Sequence, residues 1–334
     1  MTIKDISAQT GYSVGTVSRV LNDQPNVSEK ARKAILEVAK QSGFQLNANA
    51  KQLKQQRTNS IVAVVKGTSN ELFGSLLESL QARVADWPYL LTVDYVDEDA
   101  DEVVRGIQLC REKKPLGMLF LGGNMESFQR DFQHIDVPCV LVTGDASALA
   151  MENLSSVTTD DKQAGRLAVE HLVEQGHRKI AVIGGSREVS DIARLRYQGC
   201  EEVFREKGIA FDRELDYYTG RFSYADGYRA VQTLLDRKRE FTAIFAMADV
   251  MAIGAIRALR DRGLQVPEDV SVIGLDGLII GDYTVPKLAT VRQSVEELAE
   301  RSVQILREQI EGTVKARYET ILPTVEWKES TRAI

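Results

Sequence analysis

The segment GYSVGTVSRVLNDQPNVSEKAR, residues 11–32, decides how the rest of the chain is read. Val14, Val17, Val20 and Leu21 recur at helical spacing behind Ser13, a residue type that caps helices. Upstream, Thr2 can cap a helix over IKDISAQTG, with Ile3, Ile6 and Ala8 as its apolar stripe and Gly11 as its end. Gly11-Tyr12 leaves room only for a tight turn between the two helices. Downstream, Ser28 opens a third helix carrying Ala31, Ile35, Leu36, Val38 and Ala39, which ends before Gly43. Three such helices make a small core that can present one of them outward.

The second helix has the exposed chemistry of a DNA-groove reader. Thr16, Ser18, Arg19 and Asn22 lie on or near one side. Short hydroxyl side chains allow close approach to phosphates, and Arg19 can reach the O6/N7 edge of guanine bidentately. A polar solvated helix face would carry the same residue types. Charge is distributed accordingly. Residues 1–57 hold nine lysines and arginines against four acids, while the remainder holds 33 against 44. A basic head on an acidic body suits a polyanion partner, although a solvated basic face is common.

Residues 2–57 resemble, without a gap, the DNA-binding head of the lactose-repressor (LacI/GalR) family. The resemblance is carried by VGTVSRVLN, VSEKAR, GF and NANAKQL. It implies that Arg19 reads a guanine, supported by Ser13, Thr16, Ser18 and Asn22. Val14 and Gly15 would occupy the two exposed positions with which such helices choose an operator. Thr2, Asn26, Ser28 and Phe44 would position the backbone. It further implies a hinge helix over residues 47–54, NANAKQLK, ordered on operator DNA. Asn47, Ala50, Lys51 and Lys54 would face DNA there, and Leu53 would wedge into the central base step of the minor groove. Two turns of helix are marginal alone. A linker helix with a buried leucine is the plainer alternative.

From residue 60 the pattern changes. Apolar runs SIVAVV, YLLTV, GMLFL and CVLVT alternate with helical segments near 70–85, 100–113 and 125–133. A second set, KIAVIGG, DYYTG, AIFAM and VSVIGLDG, alternates with helices near 161–175, 191–207, 223–236 and 248–262. The fold class is therefore α/β: a three-helix helix-turn-helix head, then a core of two doubly wound parallel lobes with a cleft between them. The same resemblance continues through AGRLAVEHLVEQGHRKIAVIGG, ARLRYQG, AIFAMADVMAIGAIRALRDRGLQVPEDVSVIGLDG and VPKLATVRQ. These are similar to the effector core of that family, itself like periplasmic sugar-binding proteins. It implies a head over 1–57 and a core over 60–334. The first lobe would hold about 60–158 and 290–320, the second about 160–287 and 322–334. The chain would cross near 157–161, 286–293 and 320–324.

Position by position, the resemblance offers Arg196 for a sugar hydroxyl or a carboxylate, Asp276 for ligand hydroxyls and Phe222 as a wall for a sugar face. Asn70 and Phe73 would enter from the first-lobe loop, and Gln163 and Gln293 would occupy other cleft positions. Each also has a structural reading: Arg196 on a helix surface, Asp276 in a turn, Phe222 in a core. The chain departs from the family at Ala248, where an amide usually precedes the acid, and at Gly277. These departures put a standard monosaccharide pocket in question and keep a nucleobase open as effector.

Other chemistry has little support. GGSREVS and GGNMES lack the spacing of phosphate-binding loops. No Ser/His/Asp grouping or carboxylate pair points to catalysis, so no enzyme is expected. Cys110, Cys139 and Cys200 are far apart, and His134, His171 and His177 form no metal pair, so neither metal nor cofactor is expected. No apolar run approaches a membrane span, and MTIKDISAQTGYS has no signal core. The expectation is a cytoplasmic, nucleoid-associated repressor whose partners are double-stranded operator DNA, a small sugar-like effector and a second copy of the chain. The ending EWKESTRAI carries no heptad helix, which favours a homodimer over a tetramer. The effector could release DNA or favour its binding. Two rivals are a sugar-binding transport receptor, opposed by the DNA head and the missing signal core, and a cytosolic enzyme on sugars or nucleosides, opposed by the missing catalytic group.

Overall fold

The computed structural model describes residues 2–21, 25, 27–42, 59–67 and 70–334. The chain divides into two compact units, Met1–Thr58 and Asn59–Ile334. In the first, α1 spans Ile3–Thr10, α2 Val14–Leu21 and α3 Glu29–Gln41. The caps read from the sequence are in place. Thr2 Oγ1 accepts from Asp5 N at 3.3 Å while Asp5 accepts from Thr2 N at 2.7 Å. Ser13 Oγ accepts from Thr16 N at 3.2 Å, and Ser28 Oγ from Ala31 N at 3.4 Å. Gly11 closes α1 at φ 72°, a left-handed conformation that glycine adopts without a Cβ penalty.

Ile6, Val17, Val20, Ala31, Ile35 and Ala39 form the core of this unit. Ala8, Val14 and Leu36, counted above as apolar stripe, are exposed, Val14 by 45% and Leu36 by 46%. Leu36 follows buried Ile35 by one residue, about 100° round the helix. Three short helices bury only a narrow seam, and neighbours of that seam stay outside it.

The second unit holds two six-stranded sheets. The first runs β11-β5-β4-β3-β1-β2, all parallel. Its strands are β1 Ser60–Lys66, β2 Leu90–Val96, β3 Gly117–Leu121, β4 Cys139–Val142, β5 Leu154–Thr159 and β11 Tyr318–Ile321. The helices of this lobe are α4 Glu71–Val84, α5 Glu102–Lys113, α6 Met125–Asp131 and, later in the chain, α12 Val295–Ile310, which packs on α4. Strands β3 and β4 are buried throughout, as expected for a parallel sheet covered on both faces.

The second sheet runs β12-β10-β9-β8-β6-β7, parallel except for the β10–β12 pair. It comprises β6 Ile180–Gly184, β7 Tyr217–Thr219, β8 Ala243–Ala246, β9 Ser271–Asp276, β10 Ala289–Arg292 and β12 Thr324–Glu326. Its helices are α7 Asp161–Glu174, α8 Asp191–Glu206, α9 Arg213–Asp216, α10 Tyr224–Asp236 and α11 Asp249–Asp261. Buried Ser330 ties the C-terminal segment to this sheet: its Oγ donates to Val272 O at 2.6 Å and accepts from Ala289 N at 2.8 Å.

The chain passes between sheets after β5, after β10 and after β11. The second passage corrects the lobe division given above. The first lobe is expected to resume at about 290, but β10 pairs with β9 and belongs to the second sheet, so the passage comes after Arg292, at the end of the expected crossing 286–293. A strand of only four residues carries no mark of which sheet it joins.

Candidate functional site

A cleft of about 720 Å³ opens between the two lobes of the second unit, at the carboxyl ends of their strands. Its second-lobe floor is built on buried charge. Helices α7 and α8 pack unusually close, because a Cβ on Gly165 would lie 2.0 Å from Arg196 O and one on Gly199 2.0 Å from Lys162 O. That approach brings the first residue of α7, Asp161, to Arg196 on α8. Arg196 donates from Nε to Asp161 Oδ1 at 2.8 Å and from Nη1 to Met247 O at 2.5 Å.

Strand β9 delivers Asp276 to the floor at φ 128°, a backbone that L side chains rarely adopt, followed by Gly277 at φ 77°. Asp276 Oδ1 accepts from Gln293 Nε2 at 2.8 Å, and Gln293 Oε1 accepts from Thr159 Oγ1 at 2.8 Å. One glutamine thus joins the floor to the first two chain passages between lobes. Beneath it, Asp249 accepts from Thr290 Oγ1 and from Leu278 N, both at 2.7 Å. Burial raises all three carboxyls: Asp276 to about 7, Asp249 to about 6, and Asp161 upward, with Arg196 opposing the rise.

The walls are mixed. Phe73 comes from α4 and Phe222 from the loop before α10, with Ala248, Val250 and Leu278 between polar groups. In the first lobe, Lys66 donates to Ala100 O at 2.8 Å and pairs with buried Glu102, which also accepts from Asn124 N at 2.5 Å. Asn70 spends its side-chain oxygen on capping α4, accepting from Leu72 N at 3.1 Å and Phe73 N at 3.4 Å. Thr143 Oγ1 is buried without a partner among the described residues. Two contacts span the mouth: the Tyr224 hydroxyl donates to Glu71, and Arg221 pairs with Asp99.

Asn70, Phe73, Arg196, Phe222, Asp276 and Gln293 therefore all line the cleft. Gln163 does not: it lies in the first turn of α7, its N–H held by Asp160 at 2.9 Å, and is absent from the cleft wall. Lys66, Arg221, Thr143 and the carboxylate partner of Arg196 were missed. The only sequence signal for Arg221 is its place beside Phe222. Ala248, read as a departure, begins α11 with no side-chain cap and lines the cleft.

In the first unit, Ser13, Val14, Gly15 and Arg19 are exposed on α2, with Thr16 and Ser18 half-buried. The Ser13 and Thr16 hydroxyls are 2.9 Å apart and hold the start of α2. Thr2 and Ser28 are exposed caps of their helices. Asn22, Asn26, Phe44 and the hinge positions Asn47, Ala50, Lys51, Leu53 and Lys54 lie outside the described residues. Among the described residues, no group of three or more His, Cys, Asp or Glu is placed to hold a metal ion, and no helix is long and apolar enough to cross a membrane.

The family described as "Bacterial regulatory proteins, lacI family" matches residues 2–47, and a "Periplasmic binding protein-like domain" matches residues 169–331. The chain is 35% identical over 311 residues to the HTH-type transcriptional regulator MalR of Clostridium butyricum, covering 92% of each protein. It is 31% identical to the HTH-type transcriptional regulator DegA of Bacillus subtilis (strain 168), covering 96% of this chain and 95% of that one. Among solved structures, the complex of the transcriptional regulator CelR with cellobiose superposes with a TM-score of 0.73 at 27% identity, covering 99% of both chains.

Proposed function

The chain belongs to the bacterial lacI family of transcription regulators, and we propose that it represses its targets as a homodimer on a pseudo-palindromic operator. It is a DNA-binding, effector-responsive regulator and not an enzyme. Its place of work is the cytoplasm. The reading is carried by one observation: a single chain joins a three-helix unit that exposes Arg19 on α2 to a two-lobed unit with a polar cleft of about 720 Å³. Arg19 reads a guanine in each half-site, and residues 47–54 add minor-groove contacts centred on Leu53.

A sugar-like effector occupies the cleft. Arg196 and Asp276 supply polar contacts, Gln293 orients Asp276, and Phe73 and Phe222 supply apolar walls. Effector and operator favour different lobe arrangements, so each changes the affinity of the other by the same factor. The second copy of the chain packs on a patch of the second lobe. Ile279, Tyr283 and Val285 are exposed there by 72, 80 and 78%, and a partner copy seated on them would take this apolar cluster out of water.

Selection of bound fragments from random double-stranded DNA, followed by anisotropy titration of the winner and a scrambled control, tests this. The expected result is an inverted repeat bound at least about 1,000-fold more tightly than the control at fixed salt. Equal affinity for both would overturn the reading.

A further inference from the structure

We infer, on the reading of the cleft as the effector site, that the effector is an uncharged polyhydroxyl compound of two linked sugar rings rather than a phosphorylated or carboxylated one. The first ground is the pairing of charge. Four cations line the cleft among the described residues, and each already has its own carboxylate: Lys66 with Glu102, Arg196 with Asp161, Arg221 with Asp99, Arg229 with Asp226. An incoming phosphate would find no spare cation and would have to displace a resident carboxylate.

Helix N-termini, the other common anion sites, are filled in the same way. Five helices begin at the cleft wall among the described residues, and each has an acid in its first turn: Glu71 on α4, Glu126 on α6, Asp191 on α8, Asp226 on α10, Asp249 on α11. The balance left over is negative. Glu98 and Asp276 line the cleft with no ion-pair partner of their own among the described residues. Such groups accept hydrogen bonds from hydroxyls and repel anions.

The second ground is size. At water's own share of about 30 Å³ per non-hydrogen atom, generous for bonded atoms, one hexose fills at most about half of the cleft. The cleft measures about 720 Å³. It also offers two separate aromatic walls, Phe73 from the first lobe and Phe222 from the second. One ring packs on each.

Calorimetry on the full chain at neutral pH tests charge and size together. The probes are glucose, maltose, cellobiose, lactose, sucrose, glucosamine, glucose 6-phosphate, gluconate, adenine and AMP. The expected result is that at least one neutral disaccharide binds about tenfold or more tightly than glucose, with no heat from the phosphorylated or carboxylated probes. A charged probe that outranks every disaccharide overturns the inference, as does glucose binding as tightly as the best disaccharide, or adenine outranking both. Absence of binding by every disaccharide overturns it too. Release of fluorescent operator is followed in the same mixtures. A chain that holds its selected operator but binds no disaccharide fails here alone, whereas a chain without a preferred operator fails the regulator reading itself.

Discussion

Arg196 and Asp161 face each other across the α7–α8 seam, Nε to Oδ1 at 2.8 Å, and both side chains are buried. The arginine named from the sequence as a ligand contact is thus also part of the lobe's interior. Removing one member of a buried ion pair leaves the other charge stranded, at a cost of about 3–5 kcal/mol. Arg196→Ala is expected to lose that much stability in urea unfolding, besides losing effector response. Replacing both partners, Arg196→Met with Asp161→Leu, should recover most of the stability and none of the response. A loss below about 1 kcal/mol in the single variant would place the pair in solvent-like surroundings.

Protonation of the floor sets a pH dependence. Burial lifts the folded-state carboxyl of Asp276 to about 7 from an ordinary 3.8, and Asp249 to about 6. Between those values the folded state keeps protons that the unfolded chain has released. The contribution of these groups to stability is therefore complete below 3.8 and declines as pH rises toward 7. Asp276→Asn should gain stability relative to the wild type on going from acid to neutral pH. Urea midpoints at both ends of that window check this, and an offset that does not change with pH would mean the carboxylate is ionised throughout.

Two contacts join the lobes across the cleft mouth, Tyr224 to Glu71 and Arg221 to Asp99. Arg221 and Asp99 are both well exposed, so their pair is worth at most about 1 kcal/mol. Asp99→Asn combined with Tyr224→Phe should weaken effector binding by no more than about tenfold while leaving thermal stability nearly unchanged. Calorimetry with the best-binding sugar measures it. A loss of binding altogether would make these residues ligand contacts in their own right.

Arg19→Ala in the head is expected to lower affinity for the selected operator by about 1–3 kcal/mol and to relax selectivity at one guanine per half-site. Effector calorimetry should be unaffected. Equal losses on operator and scrambled DNA would make Arg19 a phosphate contact only.

How much of this could be read in the chain depended on whether a residue's reason lies near it in sequence. The caps at Thr2, Ser13 and Ser28 each serve a backbone amide three residues on, and all three were legible. The continuous apolar runs of β1, β3, β4, β6, β8 and β9 announced buried parallel strands. Strand β5 escaped because Ser155, Ser156, Thr158 and Thr159 look like loop residues. They are buried, and Ser155 and Ser156 accept from the distant amides of Arg317 at 3.0 Å and Ala146 at 3.1 Å. Asp161 makes sense only opposite Arg196, and Gly165 only against the backbone of α8. Gln163, expected at the cleft, is half-buried in the first turn of α7 and does not line it, and nothing in its local sequence marks that.

The route of the chain has a consequence for its synthesis. The second sheet is made in two instalments, β6 to β10 first and β12 only after α12 and β11 have been translated for the other lobe. Until then β10 stands as a bare edge, and the two bonds of Ser330 to Val272 and Ala289 do not exist. An open strand edge invites pairing with any other chain nearby. On crowded polysomes the interval between residues 292 and 330 therefore leaves the lobe with an open edge on which neighbouring nascent copies can pair.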